Sequence, residues 1–390
     1  MRIALVRQRY NPYGGAERFV ERAIGALERE GAQVTLITRQ WRDDGRRRAA
    51  IVNPFYLGRL WRDIGFGAGV QALLARNRFD LVQSHERIAG CDLYRAGDGV
   101  HRQWLAHRAA TEGPLARLGI WLNPWHRYTC AAERAMFLHP DLRAVICNSH
   151  MVAAEIRAHF PPAAGKLHVI YNGVDLQHFA PQARAALRMQ AREAHGCAAG
   201  APVFAFVGSG FARKGLGAAI DALAALNAQV PEGGHRAQLL VAGRDRAQAA
   251  FARRAERAGV AGDVRFLGGV DDVRPVYAAA DCFILPTRYD PFPNTALEAL
   301  AMGLPVIVST QCGAAELVRP GDNGWVCAPD DPHALAGHML DAARACGTPR
   351  AASMSDQARR SAEPFGIESM ADQMIALYRE LLGRPAEERT

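Results

Sequence analysis

Two stretches of this chain are written the same way. Residues 2–38, RIALVRQRYNPYGGAERFVERAIGALEREGAQVTLIT, run as apolar strand, glycine-bearing loop, amphipathic helix and second apolar strand. Residues 203–243 open with VFAFVGSGFARKGLGAAIDALAALNAQV, close with AQLLVAG and repeat that order. A strand–helix–strand unit makes its two strands parallel and places the helix on a face of the sheet. Further short β-branched runs follow each unit: FDLVQSH, RAVICNS and LHVIYNG in the first half, VRFLGGV, DCFILP and LPVIVST in the second. Continuous apolar runs of this length suit strands covered on both faces. At 390 residues the chain exceeds one ordinary core. The expectation is therefore α/β, with two Rossmann-like doubly wound domains, 1–180 and 181–365. Residues 175–202 read as the connection. FGIESMADQMIALYRELLG, opening a closing helix over about 366–390, is amphipathic and is expected to pack back on the first domain. Such sheets bind ligands beyond the carboxyl ends of their strands, so a cleft between two of them is the expected site.

Charge separates the halves. Residues 1–180 carry 25 Lys and Arg against 16 Asp and Glu, a surplus of nine, while residues 181–390 carry 22 against 23. The partners expected of the basic half are phosphates, nucleic acid or an anionic membrane. The eight cysteines are scattered with no CxxC pair, which argues against a zinc site or a disulfide framework and predicts reduced thiols in a cytoplasmic protein. The first residues are too briefly apolar for a signal peptide, and no run approaches the ~20 residues of a membrane-spanning helix.

Three loops carry candidate chemistry. In VGSGFARKG a strand ends at Val207, Gly208 and Gly210 follow, and a helix is expected near Lys214. Amides at a helix start attract anions, and Arg213 and Lys214 add full charge, an arrangement suited to a diphosphate. An ordinary glycine turn would use the same glycines, and the third glycine of a dinucleotide fingerprint is missing, which disfavours a nicotinamide enzyme. In NPYGGAERF, Gly14 and Gly15 could let a ligand approach the backbone or could form a tight turn. In YDPFPNTALEALAMGLPVIVST, Asp290 sits among prolines and Glu298 eight residues later, near the first turn of a helix that Asn294 or Thr295 is expected to cap. An acid there could merely complement the helix dipole. Two acids beside helix-start amides suit a ribose diol, a diphosphate and a second polyol together, hence a nucleotide-sugar.

DPFPNTALEALAMGLPVI closely resembles the E-x7-E region of glycosyltransferase family 4, the retaining enzymes of GT-B fold. VFAFVGSGFARKG, VICNSHMVAAEI, VIYNGVDLQHF, VRFLGGVDDVRPVYAAAD and NPYGGAERF fall in that family's order, so the resemblance spans nearly the whole chain. YNPYGGAERF, GCDLYRAGDGVHRQWL and RYTCAAERAMF look most like the members that add the first glucose to the inner-core heptose of lipopolysaccharide. The resemblance implies that Glu298 binds the nucleotide ribose, Asp290 the donor sugar, and Arg213 and Lys214 the diphosphate. Asp290 departs from the pattern, since the family has Glu there, and this bears on sugar choice. It further implies Gly15 beside the phosphate and acceptor, and Asp98 of RAGDGVH near the reacting centre, with His101 a neighbouring rival. UDP-glucose is the implied donor and a lipid-linked heptose the implied acceptor. No DxD triplet is present, so no metal is expected, and no cofactor beyond the donor.

The stretch from Gly99 to Cys130 interleaves Trp104, Trp121 and Trp125 with Arg102, Arg108, Arg117 and Arg127, against a single acid, Glu112. Tryptophan favours the headgroup boundary and arginine is drawn to anionic lipid, so peripheral contact with the cytoplasmic face of the inner membrane is expected through Trp104, Arg117, Trp121, Trp125 and Arg127. The same side chains could instead pack in the first domain, and Pro114 and Pro124 break the stretch into short pieces. Competing functions are another family 4 acceptor, a nucleotide-sugar epimerase, and an RNA-binding protein. The last lacks any recognisable RNA motif.

Overall fold

The computed structural model describes residues 1–9, 25, 28, 31–40 and 48–383. The chain forms two compact units. One comprises Met1–Asn172 and the residues from Glu368 on, and the other Gly173–Ile367.

The first unit holds a seven-stranded sheet in the order β3-β2-β1-β4-β5-β6-β7, every neighbouring pair parallel. These strands are β1 Arg2–Val6, β2 Gln33–Thr38, β3 Arg48–Ile51, β4 Leu81–Ser84, β5 Leu93–Ala96, β6 Ala144–Cys147 and β7 Leu167–Val169. The second unit holds a six-stranded parallel sheet, β10-β9-β8-β11-β12-β13. Its strands are β8 Val203–Val207, β9 Gln238–Ala242, β10 Val264–Gly268, β11 Cys282–Leu285, β12 Val306–Ser309 and β13 Gly324–Cys327. All five residues of β8 and of β9 are buried, as strands covered on both faces must be. In each sheet the order reverses once, between β1 and β4 and between β8 and β11. The crevice at the carboxyl ends of those two strands is where such sheets receive ligands.

The closing helix, Ile367–Gly383, belongs to the first unit. Met370, Met374, Leu377, Tyr378 and Leu381 bury one face of it. Tyr378 donates from its hydroxyl to Gln83 Oε1 of β4, and Arg143 donates to the Leu381 carbonyl. Arg95 of β5, itself buried, donates to Asn172 Oδ1 at 2.7 Å and reaches Met374 Sδ at 3.7 Å. Val174 and Gly366 pair as a bridge, so the two passages of the chain near the unit boundary run side by side.

Two local expectations are corrected. The helix near Lys214 is two pieces, Phe211–Lys214 and Leu216–Asn227, split by Gly215 in the left-handed region at φ 82°. Neither Asn294 nor Thr295 caps the following helix. Pro293 occupies the cap position without a side-chain hydrogen bond, and both residues are already helical in Asn294–Ala301. Among the described residues no helix is long and apolar enough to cross a membrane.

Candidate active site

β8 delivers the chain at Val207 to a loop made by glycines. Gly208 takes φ 151° beside the Lys214 side chain, where a Cβ would make only ordinary contact with Lys214 Cε at 3.5 Å. Gly210 takes φ 77° and starts the short helix, whose Phe211 amide donates to Asp245 Oδ2 at 2.8 Å. That turn aims Lys214 inward, and its ammonium forms an ion pair with Asp290. Arg213 Nη1 stands 3.5 Å from the same carboxylate oxygen and donates to the Tyr289 carbonyl at 2.9 Å.

Asp290 is fixed from its own side as well. Its amide donates to the Gln311 carbonyl at 3.0 Å, and its carbonyl accepts from Gly313 at 2.9 Å. The loop before it is tied to the basic turn, because Thr287 Oγ1 and the Arg288 amide both donate to the Arg213 carbonyl, at 3.0 and 2.8 Å. Asp290 is 6% exposed and Lys214 8%, whereas Arg213 keeps much of its guanidinium open. A buried acid is thus flanked by two cations, one locked and one accessible, at the carboxyl ends of β8 and β11. Arg213, more open than Lys214, is the cation that an anion entering the crevice can reach.

Glu298 lies in the second turn of its helix, half-buried, and Tyr277 donates from its hydroxyl to Glu298 Oε2 at 3.0 Å. Tyr277 is fully buried, and burial followed by the Glu298 charge pushes its hydroxyl well above the ordinary tyrosine range. It therefore remains a donor and fixes the carboxylate. Thr295 Oγ1, one turn earlier, is shielded from solvent and has no hydrogen-bond partner. Sequence reasoning did not single out Tyr277, Asp245, Thr287 or Gly215. Each is an ordinary residue whose role comes from a neighbour distant in the chain.

In the first unit Asp98 follows β5 on an exposed turn. Its charge, after burial, helps raise the carboxyl of Glu86, which accepts from the Gln8 amide at 2.9 Å. His101 is differently placed. It is buried, with Nε2 3.0 Å from His126 Nδ1, and burial, then Arg87 and His126, hold its imidazole down to about 3. It is neutral and engaged, while Asp98 is open. Glu133 accepts from the amides of His101 and Arg102 and from Arg87 Nε, anchoring the helix His101–Thr111 to Pro124–Phe137. Gly14 and Gly15 lie outside the described residues.

The tryptophan-rich stretch forms three helices, His101–Thr111, Pro114–Leu122 and Pro124–Phe137, the breaks falling at the two prolines. Its tryptophans differ. Trp125 donates from Nε1 to Asp63 at 2.8 Å with the Arg59 guanidinium over its ring, and Trp104 is half-buried beside Arg108. Trp121 is 68% exposed, flanked by exposed Leu118 and Leu122, and Arg117 and Arg127 are exposed too. A second apolar set was not foreseen: Phe55, 82% exposed, with Leu57, Trp61 and Ile64 at the start of the helix Gly58–Arg76.

Comparison with known proteins gives the site its context. The model of Glycosyltransferase Family 4 matches residues 13–178, and that of Glycosyl transferases group 1 matches residues 201–345. The lipopolysaccharide glucosyltransferase WaaG of Escherichia coli (strain K12) is 26% identical over 330 residues, 84% of this chain and 85% of that protein. The crystal structure of WaaG, a glycosyltransferase involved in lipopolysaccharide biosynthesis, matches with a TM-score of 0.80 at 25% identity, covering 96% of this chain and 99% of that one. The lipopolysaccharide core biosynthesis mannosyltransferase LpsB of Rhizobium meliloti is 30% identical over 338 residues, 81% of this chain and 88% of that protein. The D-inositol 3-phosphate glycosyltransferase 2 of Catenulispora acidiphila is 30% identical over 334 residues, 80% and 74%. With two Rossmann-like parallel sheets and relatives of this similarity along most of its length, the chain belongs to glycosyltransferase family 4 and has the GT-B fold.

Proposed function

We propose that this glycosyltransferase transfers glucose from UDP-glucose to a heptose of the lipopolysaccharide inner core, with retention at the anomeric carbon and without a metal ion. The observation that carries the donor half is the convergence of Lys214 and Arg213 on Asp290 at the switch point of the six-stranded sheet. The bond from anomeric carbon to phosphate oxygen breaks and its electron pair goes to the diphosphate. Lys214, Arg213 and the amides of the glycine turn stabilise that growing charge. The acceptor hydroxyl forms the new bond on the same face and passes its proton to the departing phosphate. Asp290 holds donor-sugar hydroxyls, Glu298 the ribose diol, and Asp98 orients the acceptor. Likeness to WaaG along both units supports the acceptor.

The test is a product analysis. The protein is mixed with UDP-glucose, UDP-galactose or GDP-mannose, with a heptose-containing core lipid, with D-inositol 3-phosphate, or with no acceptor. Glucosylated core lipid with α-configuration by NMR, formed equally in EDTA, is the expected result. Transfer to D-inositol 3-phosphate alone would move the chain to that branch of the family, which its relatives make the second reading. Altered donor without acceptor would mean an epimerase, and loss in EDTA restored by magnesium would mean a metal site.

Glu298→Gln is expected to raise the donor KM about tenfold with little change in kcat, since a ribose contact is made equally in the ground and transition states. Tyr277→Phe is expected to shift KM the same way by a smaller factor. A fall in kcat with unchanged KM would exchange the roles of Glu298 and Asp290.

Peripheral membrane contact at the cytoplasmic face is part of the proposal. The support is the pairing of exposed Trp121, Leu118 and Leu122 with Arg117 and Arg127, and the second apolar set at Phe55, Leu57 and Trp61. Cations near anionic lipid contribute about 1 kcal/mol each, so Arg117→Gln with Arg127→Gln should weaken binding to phosphatidylglycerol vesicles roughly thirtyfold at low salt. Trp125→Phe should leave it unchanged because that ring is engaged with Asp63. Co-sedimentation with anionic and neutral vesicles is the measurement, and wild type that ignores anionic vesicles ends the membrane claim.

A further inference from the structure

In the first sheet β5 lies between β4 and β6, so the carboxyl ends of three parallel strands stand side by side. The turn of residues 96–99 leaves β5 there and carries Asp98 at its exposed tip. It is closed by one bond of its own, from the Gly99 amide to the Ala96 carbonyl at 3.3 Å. The residues on either side of Asp98 are glycines. A Cβ at Gly97 would meet nothing within 4 Å, so no side-chain packing holds that side of the tip. An aspartate on such a tip moves unless its main chain is tied down.

Two side chains tie it, one from beyond each neighbouring strand. Arg87, just past β4, donates from Nη2 to the Gly99 carbonyl at 3.1 Å. Asn148, the residue after β6, donates from Nδ2 to the Gly97 carbonyl at 3.3 Å. Arg87 is itself anchored, because its Nε donates to Glu133 Oε1 at 3.0 Å. Glu133 is 1% exposed and also accepts from the amides of His101 and Arg102, which open the helix after the turn. A guanidinium presents its donors from one rigid plane, so fixing Nε on a buried carboxylate fixes where Nη2 points. Burial works against the Arg87 charge, but Tyr94, Glu133 and Asp98 together hold its guanidinium above the ordinary arginine range. Asn148 is buried, and its Oδ1 is shielded from solvent with no hydrogen-bond partner. An unmet buried acceptor costs stability, so what this side chain contributes is its bond to Gly97.

We propose that Arg87 and Asn148 are positioning residues for transfer: they act through Asp98, holding its carboxylate where it orients the acceptor hydroxyl. The inference rests on the reading of Asp98 as the acceptor-orienting group. Neither residue needs to touch a substrate. Orientation of a reacting hydroxyl governs rate more than donor affinity, and a misplacement of about 1 Å costs up to about a hundredfold. Lysine at position 87 keeps a charge for Glu133, but its ammonium lacks the planar fork that reaches carboxylate and carbonyl in two fixed directions. Arg87→Lys therefore separates support of the fold from the hold on the turn.

The experiment is steady-state transfer by the full chain with UDP-glucose and heptose-containing core lipid, or with the donor and acceptor that product analysis identifies. Arg87→Lys should lower kcat at saturating acceptor roughly tenfold to a hundredfold, with donor KM, UDP binding by calorimetry and the thermal midpoint close to wild type. In an Asp98→Asn background the same change should cost less than about twofold more, because residues acting as one unit are not additive. If Arg87→Lys does not fold by circular dichroism, Asn148→Ala serves in its place, with a smaller loss and the same dependence on Asp98. Wild-type kcat in the folded variant beside an impaired Asp98→Asn overturns the inference and leaves Asp98 in its role. Full, independent losses in the double variant overturn action through Asp98. Wild-type turnover in Asp98→Asn removes the acceptor-orienting reading, and the inference falls with it.

Discussion

Lys214→Ala is expected to lower turnover about tenfold to a hundredfold, because a hydrogen-bonded charge contact contributes about 1.5–3 kcal/mol and each 1.4 kcal/mol is tenfold in rate. Lys214 is 8% exposed and its partner Asp290 6%, so no water replaces the ammonium cheaply. Arg213 sits 3.5 Å from the same oxygen and is more open, so it partly compensates and keeps the unit folded. Arg213→Ala should accordingly cost less than Lys214→Ala, and Lys214→Arg should recover part of the loss. Steady-state transfer and donor hydrolysis measure this. Wild-type turnover in Lys214→Ala removes the ion pair from the mechanism.

Gly215→Ala is expected to do more, through the backbone. Gly215 has φ 82°, and a Cβ there would lie 2.0 Å from the Pro286 carbonyl oxygen. Nothing flexible can yield, since the obstacle is main chain. The same segment supplies the Thr287 and Arg288 donors that hold the Arg213 carbonyl, so relieving the clash pulls the basic turn away from the Asp290 loop. Left-handed strain of about 1–2 kcal/mol and overpacking of about 1–3 kcal/mol together give roughly 2–5 kcal/mol. In a unit of this size that lowers the thermal midpoint by about 5–15 °C. Gly210→Ala is the control: its φ is 77°, but a Cβ there meets nothing within 4 Å, so only the strain term applies. Equal midpoints for the two variants would refute the collision argument.

The strands legible in the sequence are those whose residues are apolar throughout, such as VFAFV and CFIL. LYRA, β5, was not read as a strand, because a buried arginine disguises it. Arg95 is held there by Asn172 and by a helix from the far end of the chain. The candidate donor residues were legible because glycine, basic pair and spaced acids sit in short local motifs. What joins them was not: Tyr277 meets Glu298 from 21 residues away, and Thr287 ties to Arg213 across 74. The tryptophans show the same limit. Trp121 and Trp125 are four residues apart in sequence, but one faces outward and the other is tied to Asp63 on another helix. Composition cannot separate them.

The helix Ile367–Gly383 has a consequence for synthesis on the ribosome. Its partners Gln83, Arg95 and Arg143 emerge early, but the helix appears only after the whole intervening unit. At about 5–20 residues per second, the 195 residues of Gly173–Ile367 delay it by roughly 10–40 s. During that interval Arg95 and a row of apolar positions in the nascent first unit lack their cover, the kind of surface that chaperones bind. A chain that stops before Ile367 therefore lacks the helix that packs on β4 and β5, and quality-control proteases can recognise it by that exposed face.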